Sequence, residues 1–446
     1  MLVNRQNFLV LGVSKSGYNA GKYILSKGGK CYVLEELLTP KNQSYLAELV
    51  SLGAEQVASQ DADNVLDVID VLLISPGVPI NHQVAVKAKQ KGIRIVGELE
   101  FGFLQFTPAF VAITGTNGKT TTVTLIDDIL KNSGVKSHAV GNVGVPVTSI
   151  LAEANKDDVL VAEVSSFQLE SISSFCPHVS CVLNIAPDHL ERHYTMENYV
   201  YLKKRIFKNQ KESEYTVLNY DDKIVRNFFS ETKSKVIWIS TKERVDGCYL
   251  IDGKLFYFGE YVIDEKDLKL KGEHNVYNSL FAIAVSKLMG AKTNEIVEVL
   301  KNFKGVRHRI QLVANKYGVD FYNDSKATNT ASTISAVKTM QKPTVLILGG
   351  SEKGEEYVTL FNELKNTFVK HVILTGASKY KMLDAASQSG YYNVTLTSDF
   401  EMSVRIATLF AKDGESVLLS PACASFDAFS GYEERGEAFI KLVEEM

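Results

Sequence analysis

Cysteine is scarce. The 446 residues hold five, Cys31, Cys176, Cys181, Cys248 and Cys423, an odd number with no CxxC or Cys/His spacing. That excludes a disulfide framework and a zinc or dithiol motif, and the thiols are read as reduced. An excess of charge of one sign is also lacking: 49 Lys and Arg stand against 52 Asp and Glu, a net charge of -3. Such a chain has no global field for steering DNA or an anionic membrane, so a polyanionic ligand must be held by local, organised groups. No apolar run approaches the roughly 20 residues of a membrane helix, and MLVNRQNFLVLGVSKSG at the N-terminus lacks the sections of a secretory signal. A cytoplasmic protein is expected, with neither nucleic acid nor a membrane as its partner. Repeats, Pro-rich linkers and low-complexity tracts are absent as well.

What is present is ordinary globular composition, 45% hydrophobic and 23% charged. At roughly 100 to 200 residues per domain the length predicts two to four domains, each able to bury its own core. Strand-like runs alternate with helical stretches almost throughout, the pattern of parallel α/β layers. NFLVLG (7–12), GKCYVLE (29–35), VLLIS (71–75) and IRIV (93–96) form a first series. A helix in it stops at the glycines Gly28 and Gly29. A second series opens with FVAIT from Phe110 and includes DVLVAEV (158–164), VSCVLNI (179–185), YTVLN (215–219) and KVIWIS (235–240). It closes with helices starting near His274 and at Thr293. A third holds TVLIL (344–348), HVILT (371–375) and SVLLS (416–420), then a helix from about Tyr432. The expected domains are 1–97, 98–304 and 305–446.

Several motifs carry chemistry. GVSKSG (12–17) lies between a strand and a helix, where amides and the helix N-terminus receive phosphate. Its middle glycine is replaced by Ser14, and a plain strand-to-helix turn accounts for these residues equally well. Glu35 ends the next strand, where a carboxylate suits a ribose or base edge; a solvated turn is the generic alternative. GTNGKTT (115–121) follows FVAIT and opens a helix with Val123, Ile126 and Leu130 on one face. That is the context of a phosphate-binding loop. Glycines admit the backbone, Lys119 supplies charge for the β/γ-phosphates, and the Thr120 hydroxyl can ligate Mg²⁺. The loop is shorter than GxxxxGK[ST], with Ile113 where that pattern has glycine.

Glu163 ends DVLVAEV beside this loop, where Mg²⁺ would be held, although a polar strand end reads the same way. Asp188 and His189 follow the strand ending at Ile185. Asn275 and Asn278 lie three apart on one helical face, and a cap plus a surface amide is the bland alternative. Arg309 and Asp324 to Asn329 could be delivered by a mobile third domain or be surface charges and a cap. SPACASFD (420–427) follows a strand at the ligand-binding end of an open sheet.

Taken in order, GTNGKTT, GNVG (141–144), EVSSFQLE (163–170), NIAPDHLERH (184–193), HNVYN (274–278), HR (308–309) and NDSKATN (323–329) resemble the Mur ligases, which form amide bonds with ATP in peptidoglycan precursor synthesis. The resemblance spans the chain. It implies a Rossmann-like N-terminal domain, a central P-loop ATPase-like parallel-sheet domain and a Rossmann-like C-terminal domain. NDSKATN, SPACASFD and SPGVP (75–79) look like the branch that adds D-glutamate to UDP-N-acetylmuramoyl-L-alanine through an acyl phosphate.

By that resemblance Gly115, Thr116, Asn117, Gly118, Lys119, Thr120 and Thr121 bind ATP, with Asn275, Asn278, Arg309 and Asp324. Lys119, Glu163, His189, Lys203 and Lys326 are the expected catalytic set. Two Mg²⁺ ions fall to Thr120 with Glu163 and to His189 with a carbamylated Lys203. Ser14, Lys15, Ser16, Glu35, Ser75, Asn142, Gln168 and His189 would bind the UDP-substrate, with Leu37 where some members carry a basic residue. Thr328, Lys353, Ser425 and Phe426 would line the D-glutamate pocket. A monomer is expected. A nucleotide-binding motor without an acceptor pocket and a dinucleotide oxidoreductase are the competing readings.

Overall fold

The apolar runs form strands because they are buried on both faces, as parallel strands covered by crossover helices must be. The computed structural model describes residues 2–105, 109–142, 145–303, 305–352 and 356–446. The first sheet contains β1 (Asn7–Leu11), β2 (Lys30–Leu34), β3 (Glu55–Gln56), β4 (Val71–Ile74) and β5 (Arg94–Gly97), in the order β3-β2-β1-β4-β5. Every pairing in it is parallel. Phe8 and Val10 enter one apolar core and Leu9 and Leu11 the other, the period-two alternation of a two-sided sheet. Helix α1 (Lys15–Ser26) follows β1 and packs Ala20 and Ile24 into the first of these cores. It stops where expected, with Gly28 at φ 74°.

The second sheet contains β6 (Ala109–Thr114), β7 (Ser137–Gly141), β8 (Val159–Glu163), β9 (Val179–Val182), β10 (Tyr215–Asn219), β11 (Lys235–Ser240), β12 (Gly247–Ile251), β13 (Lys254–Tyr257) and β14 (Glu260–Asp264). Its order is β14-β13-β12-β11-β10-β9-β6-β8-β7, so β6 lies between β8 and β9. The pairings are parallel from β7 to β12 and antiparallel along β12, β13 and β14. That antiparallel edge is absent from the strands expected above. Helices α2 (Lys119–Asn132), α3 (Ser166–Glu170), α4 (Met196–Lys204) and α5 (Glu273–Leu288) complete what positions the site.

The third sheet contains β15 (Gln311–Lys316), β16 (Val319–Asn323), β17 (Thr344–Gly349), β18 (Val369–Thr375), β19 (Val394–Leu396) and β20 (Ser416–Leu419), ordered β15-β16-β20-β17-β18-β19. Only the β15/β16 pairing is antiparallel among these strands. The closing helix α6 spans Tyr432–Glu444. Two compact units result. One comprises Met1–Leu268 with Val276–Asn302 and holds the first two sheets; the other comprises Lys269–Asn275 with Phe303–Met446 and holds the third. Among the described residues no helix is long and apolar enough to cross a membrane.

Candidate active site

In the first unit, β6 lies between β8 and β9, where the strand order of the second sheet reverses, and its carboxyl end opens at the position where open α/β sheets take ligands. The chain then turns through Gly115 (φ 142°) and Gly118 (φ 88°), backbone that favours glycine. At Gly118 a Cβ would also lie 2.5 Å from Asn278 Oδ1, so a side chain there would have to push the Asn278 amide aside. Asn117 and Asn184 brace the turn reciprocally: Asn117 N–H donates to Asn184 Oδ1 at 2.9 Å and Asn184 Nδ2 to Asn117 O at 3.0 Å. Thr116 is fixed by Ala186, whose amide donates to its hydroxyl and whose carbonyl accepts from it, with Tyr199 OH 3.1 Å away. Thr121 is buried in the first turn of α2. The result is a helix N-terminus preceded by a rigid glycine turn, a ready anion site.

Around it stand most of the expected polar groups. Lys119 Nζ folds back to donate to Gly115 O (2.9 Å) and Thr116 O (2.7 Å). Thr120 Oγ1 donates to Glu163 Oε2 at 2.6 Å, and Asn142 Nδ2 to Glu163 Oε1 at 3.2 Å. Asn278 Oδ1 accepts from the Thr122 hydroxyl at 3.1 Å, which ties α5 to the loop. Lys203, only 2% exposed, donates to Gly115 O (2.8 Å) and Thr114 Oγ1 (3.2 Å). Burial, then the charge of Lys119, pushes its ammonium well below a lysine's ordinary value, against the pull of Asp188 and Glu163. The neighbouring Lys204 points elsewhere, to Glu231.

His189 has φ 55° at the start of a short helix, Leu190–His193, and its Nδ1 lies 3.3 Å from Glu191. Gln168 is engaged in a capping box with Ser165, accepting from its amide at 2.9 Å. Among the described residues no group of three or more His, Cys, Asp and Glu is spaced to hold a metal. The hydroxyl and carboxylate of Thr120 and Glu163 still suit Mg²⁺, which takes few protein oxygens and completes its shell with phosphate and water.

The UDP-substrate candidates lie on loops of the first sheet. Ser14 and Lys15 are exposed and Ser16 half-buried at the start of α1. Glu35 is turned inward: Oε2 accepts from Val13 N–H at 2.6 Å and Oε1 from Leu37 N–H at 2.8 Å. Ser75 is buried, with its hydroxyl donating to Gly12 O at 2.6 Å. Both therefore shape the turn after β1 through the backbone. Leu37 is exposed.

In the second unit, Asp324 is buried, with Oδ2 accepting from Ser420 Oγ (2.7 Å) and Oδ1 from Ile310 N–H (3.2 Å). Burial pushes its carboxyl up to about 7, against the lowering charge of Arg309. The Arg309 Nε is buried without a hydrogen-bond partner. Lys326 lies over the Tyr432 ring at 5.2 Å. Asn275 donates to Lys271 O at 2.8 Å, and the boundary between the units falls between it and Asn278. Thr328 is half-buried, Ser425 buried and Phe426 72% exposed. Lys353, like Val143 and Gly144 of GNVG, lies outside the described residues. A cavity of about 330 Å³ lined by Gly350, Gly376, Asp399 and Asp427 opens nearby, and neither Thr328 nor Ser425 lines it.

Sequence reasoning passed over two structural anchors. Asn184 was visible in NIAPDH, directly after a strand. Arg435, in α6, carried no signal. It is buried and donates to Ser325 Oγ and O, Cys423 O and Ala424 O, holding NDSKATN against SPACASFD.

Comparison with known proteins falls on this same plan. Residues 6–97 match the N-terminal domain of the MurD-like Mur ligases, 113–286 the Mur ligase middle domain and 308–423 the Mur ligase glutamate ligase domain. The chain is 41% identical over 453 residues to the UDP-N-acetylmuramoylalanine–D-glutamate ligase of Thermoanaerobacter sp. (strain X514), covering all of both chains. Identity to the enzymes of that name from Lachnospira eligens and Lactiplantibacillus plantarum is 38% in each case, over 99% of this chain and 99% and 96% of theirs. Among solved structures, the UDP-N-acetylmuramate-alanine ligase MurC of Thermotoga maritima shares the fold, with TM-score 0.64 and 17% identity over 99% of each chain. Three α/β sheets, three matching family domains in order and relatives similar from end to end make this chain a member of the Mur ligase family.

Proposed function

We propose that the chain joins D-glutamate to UDP-N-acetylmuramoyl-L-alanine, with ATP converted to ADP and phosphate, in peptidoglycan precursor synthesis. The observation that carries this is end-to-end similarity to relatives bearing the name of that reaction, at 41% identity over all of both chains. The arrangement around β6 suits the chemistry. A carboxylate is inert toward amines, so its oxygen first attacks the γ-phosphorus of ATP and ADP leaves. The D-glutamate amine then attacks the acyl carbon, and phosphate departs as the amide forms. Little covalent work falls to the protein, and catalysis is positioning with charge neutralisation.

The roles divide as follows. The turn from Gly115 to Gly118, the amides from Lys119 to Thr121 and the Lys119 charge hold the phosphates, while Asn275 and Asn278 take the adenosine side. Thr120 and Glu163 would hold one Mg²⁺, and His189 with a carbamylated Lys203 would hold a second. When bound, these ions neutralise charge on the phosphates and the carboxylate. Lys203 would serve as a ligand only after its Nζ adds to CO₂ and releases a proton. That step needs a neutral amine, which burial favours. Asn142 and Gln168 face the substrate, and Ser14, Lys15, Ser16, Glu35 and Ser75 form or shape its UDP end. Arg309, Asp324 and Lys326 reach ATP and the transferred phosphate; Thr328, Lys353, Ser425 and Phe426 receive D-glutamate. On this reading residues 1–97, 98–304 and 305–446 serve the UDP-substrate, ATP and the amino acid in a cytoplasmic monomer.

The test is ADP formation with ATP and Mg²⁺. It should require both UDP-N-acetylmuramoyl-L-alanine and D-glutamate and fail with L-glutamate. Turnover with L-glutamate and a folate instead would contradict the proposal.

A further inference from the structure

Arg192 stands three residues beyond His189 and reaches in two directions. On one side it forms a fork with Glu170 at the end of α3, Nε to Oε1 at 3.1 Å and Nη2 to Oε2 at 2.6 Å. On the other it donates to three consecutive carbonyls of the loop after β4: Nη1 to Pro76 O (3.0 Å) and Gly77 O (3.4 Å), and Nη2 to Val78 O (3.2 Å). Its guanidinium lies 4.2 Å from the centroid of the Phe167 ring. Arg192 and Glu170 are 14% and 10% exposed, so the pair is largely shielded from solvent and salt. Glu170 is held in turn by Arg205, which donates to its carbonyl at 2.8 Å. One side chain thus joins a loop of the first sheet to the α3 and His189 wall of the second, inside a single compact unit.

We propose that Arg192 is a positioning residue for the sugar-nucleotide substrate, fixing the loop at 75–79 against the wall carrying Gln168 and His189. The inference rests on the substrate assignment under Proposed function. A substrate held at its UDP end by the first sheet and at its carboxylate end by the second benefits from both sites only when their spacing matches its length. Small errors in that spacing are costly, since a 1 Å misplacement can lose about a hundredfold in rate. Only a planar fork can serve a carboxylate and three carbonyls at once, which a lysine ammonium cannot reproduce.

The experiment compares Arg192→Lys and Glu170→Gln with wild type by calorimetric titration against three probes: UDP, ATP and UDP-N-acetylmuramoyl-L-alanine. UDP is held by the first sheet without the second, and ATP uses nothing of the loop at 75–79, so neither probe spans the two sheets that Arg192 joins. Both should bind the variants within about twofold of wild type, while the full substrate weakens about tenfold or more, less so in Glu170→Gln. Full-substrate binding equal to wild type in both variants would overturn the inference. So would equal weakening of all three probes, which marks a structural brace. Absence of full-substrate binding in wild type itself would overturn the substrate assignment, and this inference with it.

Discussion

Lys203 shows at the scale of one residue how burial sets chemistry. Burial, then the neighbouring charge of Lys119, pushes its ammonium well below a lysine's ordinary value, which favours the neutral amine. Lys203→Ala should lose activity by about a hundredfold or more, as expected when a charged group positioned at the reacting centre is removed. Part should return when a short-chain carboxylic acid is supplied to stand in for the carbamate; full activity in the unsupplemented variant would contradict the ligand role. Glu98 is a second buried group. It accepts from Thr148 N–H and Oγ1 at 2.6 and 2.7 Å, and burial pushes its carboxyl up to about 6. A raised carboxyl pKa stabilises the fold fully below the unfolded value of about 4.5, and this contribution fades as pH rises through about 6. Wild type should lose unfolding free energy across that window relative to Glu98→Gln, whose amide keeps the acceptor and cannot ionise. Parallel profiles in denaturant titrations at several pH values would contradict this. Residue identity was the most legible layer of the sequence. Thr120 and Glu163 stand at a loop and a strand end, the family resemblance pairs them, and they meet at 2.6 Å. The inward turn of Glu35 onto Val13 N–H was not legible, because a carboxylate at a strand end looks the same whether it caps backbone or faces a ligand.

At the scale of elements, the turn into α2 is the feature on which the proposed ATP binding depends. Gly118 has φ 88°, and a Cβ there would press on Asn278 Oδ1. Gly118→Ala therefore strains the backbone by roughly 1 kcal/mol and must also shift the Asn278 side chain. ATP affinity should fall about tenfold or more, while UDP binding at the first sheet stays at the wild-type level. Calorimetric titration with each nucleotide checks this, and unchanged ATP affinity would refute the role given to the turn. Central strands were readable because they are continuous apolar runs: VLLIS became β4 and YTVLN became β10, within a residue. The edge hairpins were missed although their turns carry the signal. Asp252 and Gly253 have φ 51° and 68° between β12 and β13, the backbone of a two-residue hairpin turn, and Tyr317 and Gly318 repeat it between β15 and β16. Half-buried edge strands such as β15 lack the apolar run that identified the others.

Across the whole molecule, the proposed labour divides between two units: the phosphate loop and Lys203 lie in one, and Arg309, Asp324 and Lys326 in the other. The alternation of strands and helices sufficed to read three sheets. It could not show that the first two form one unit, because contacts such as Glu98 to Thr148 and Arg192 to Pro76 O join residues 50 and 116 apart in sequence. It also could not show that the segment Lys269–Asn275 groups with the third sheet, since a helix such as α5 reads as continuous in sequence. In the proposed function the chain activates a carboxylate with ATP, and oxygen tracing follows that step directly. UDP-N-acetylmuramoyl-L-alanine carrying ¹⁸O in both carboxylate oxygens is incubated with ATP, Mg²⁺ and D-glutamate, and the phosphate and product are analysed by mass spectrometry. An acyl phosphate requires one labelled oxygen in each phosphate released and one in each new amide. Unlabelled phosphate, with both labels still in the recovered substrate, would mean that ATP is hydrolysed by water and would contradict the central claim.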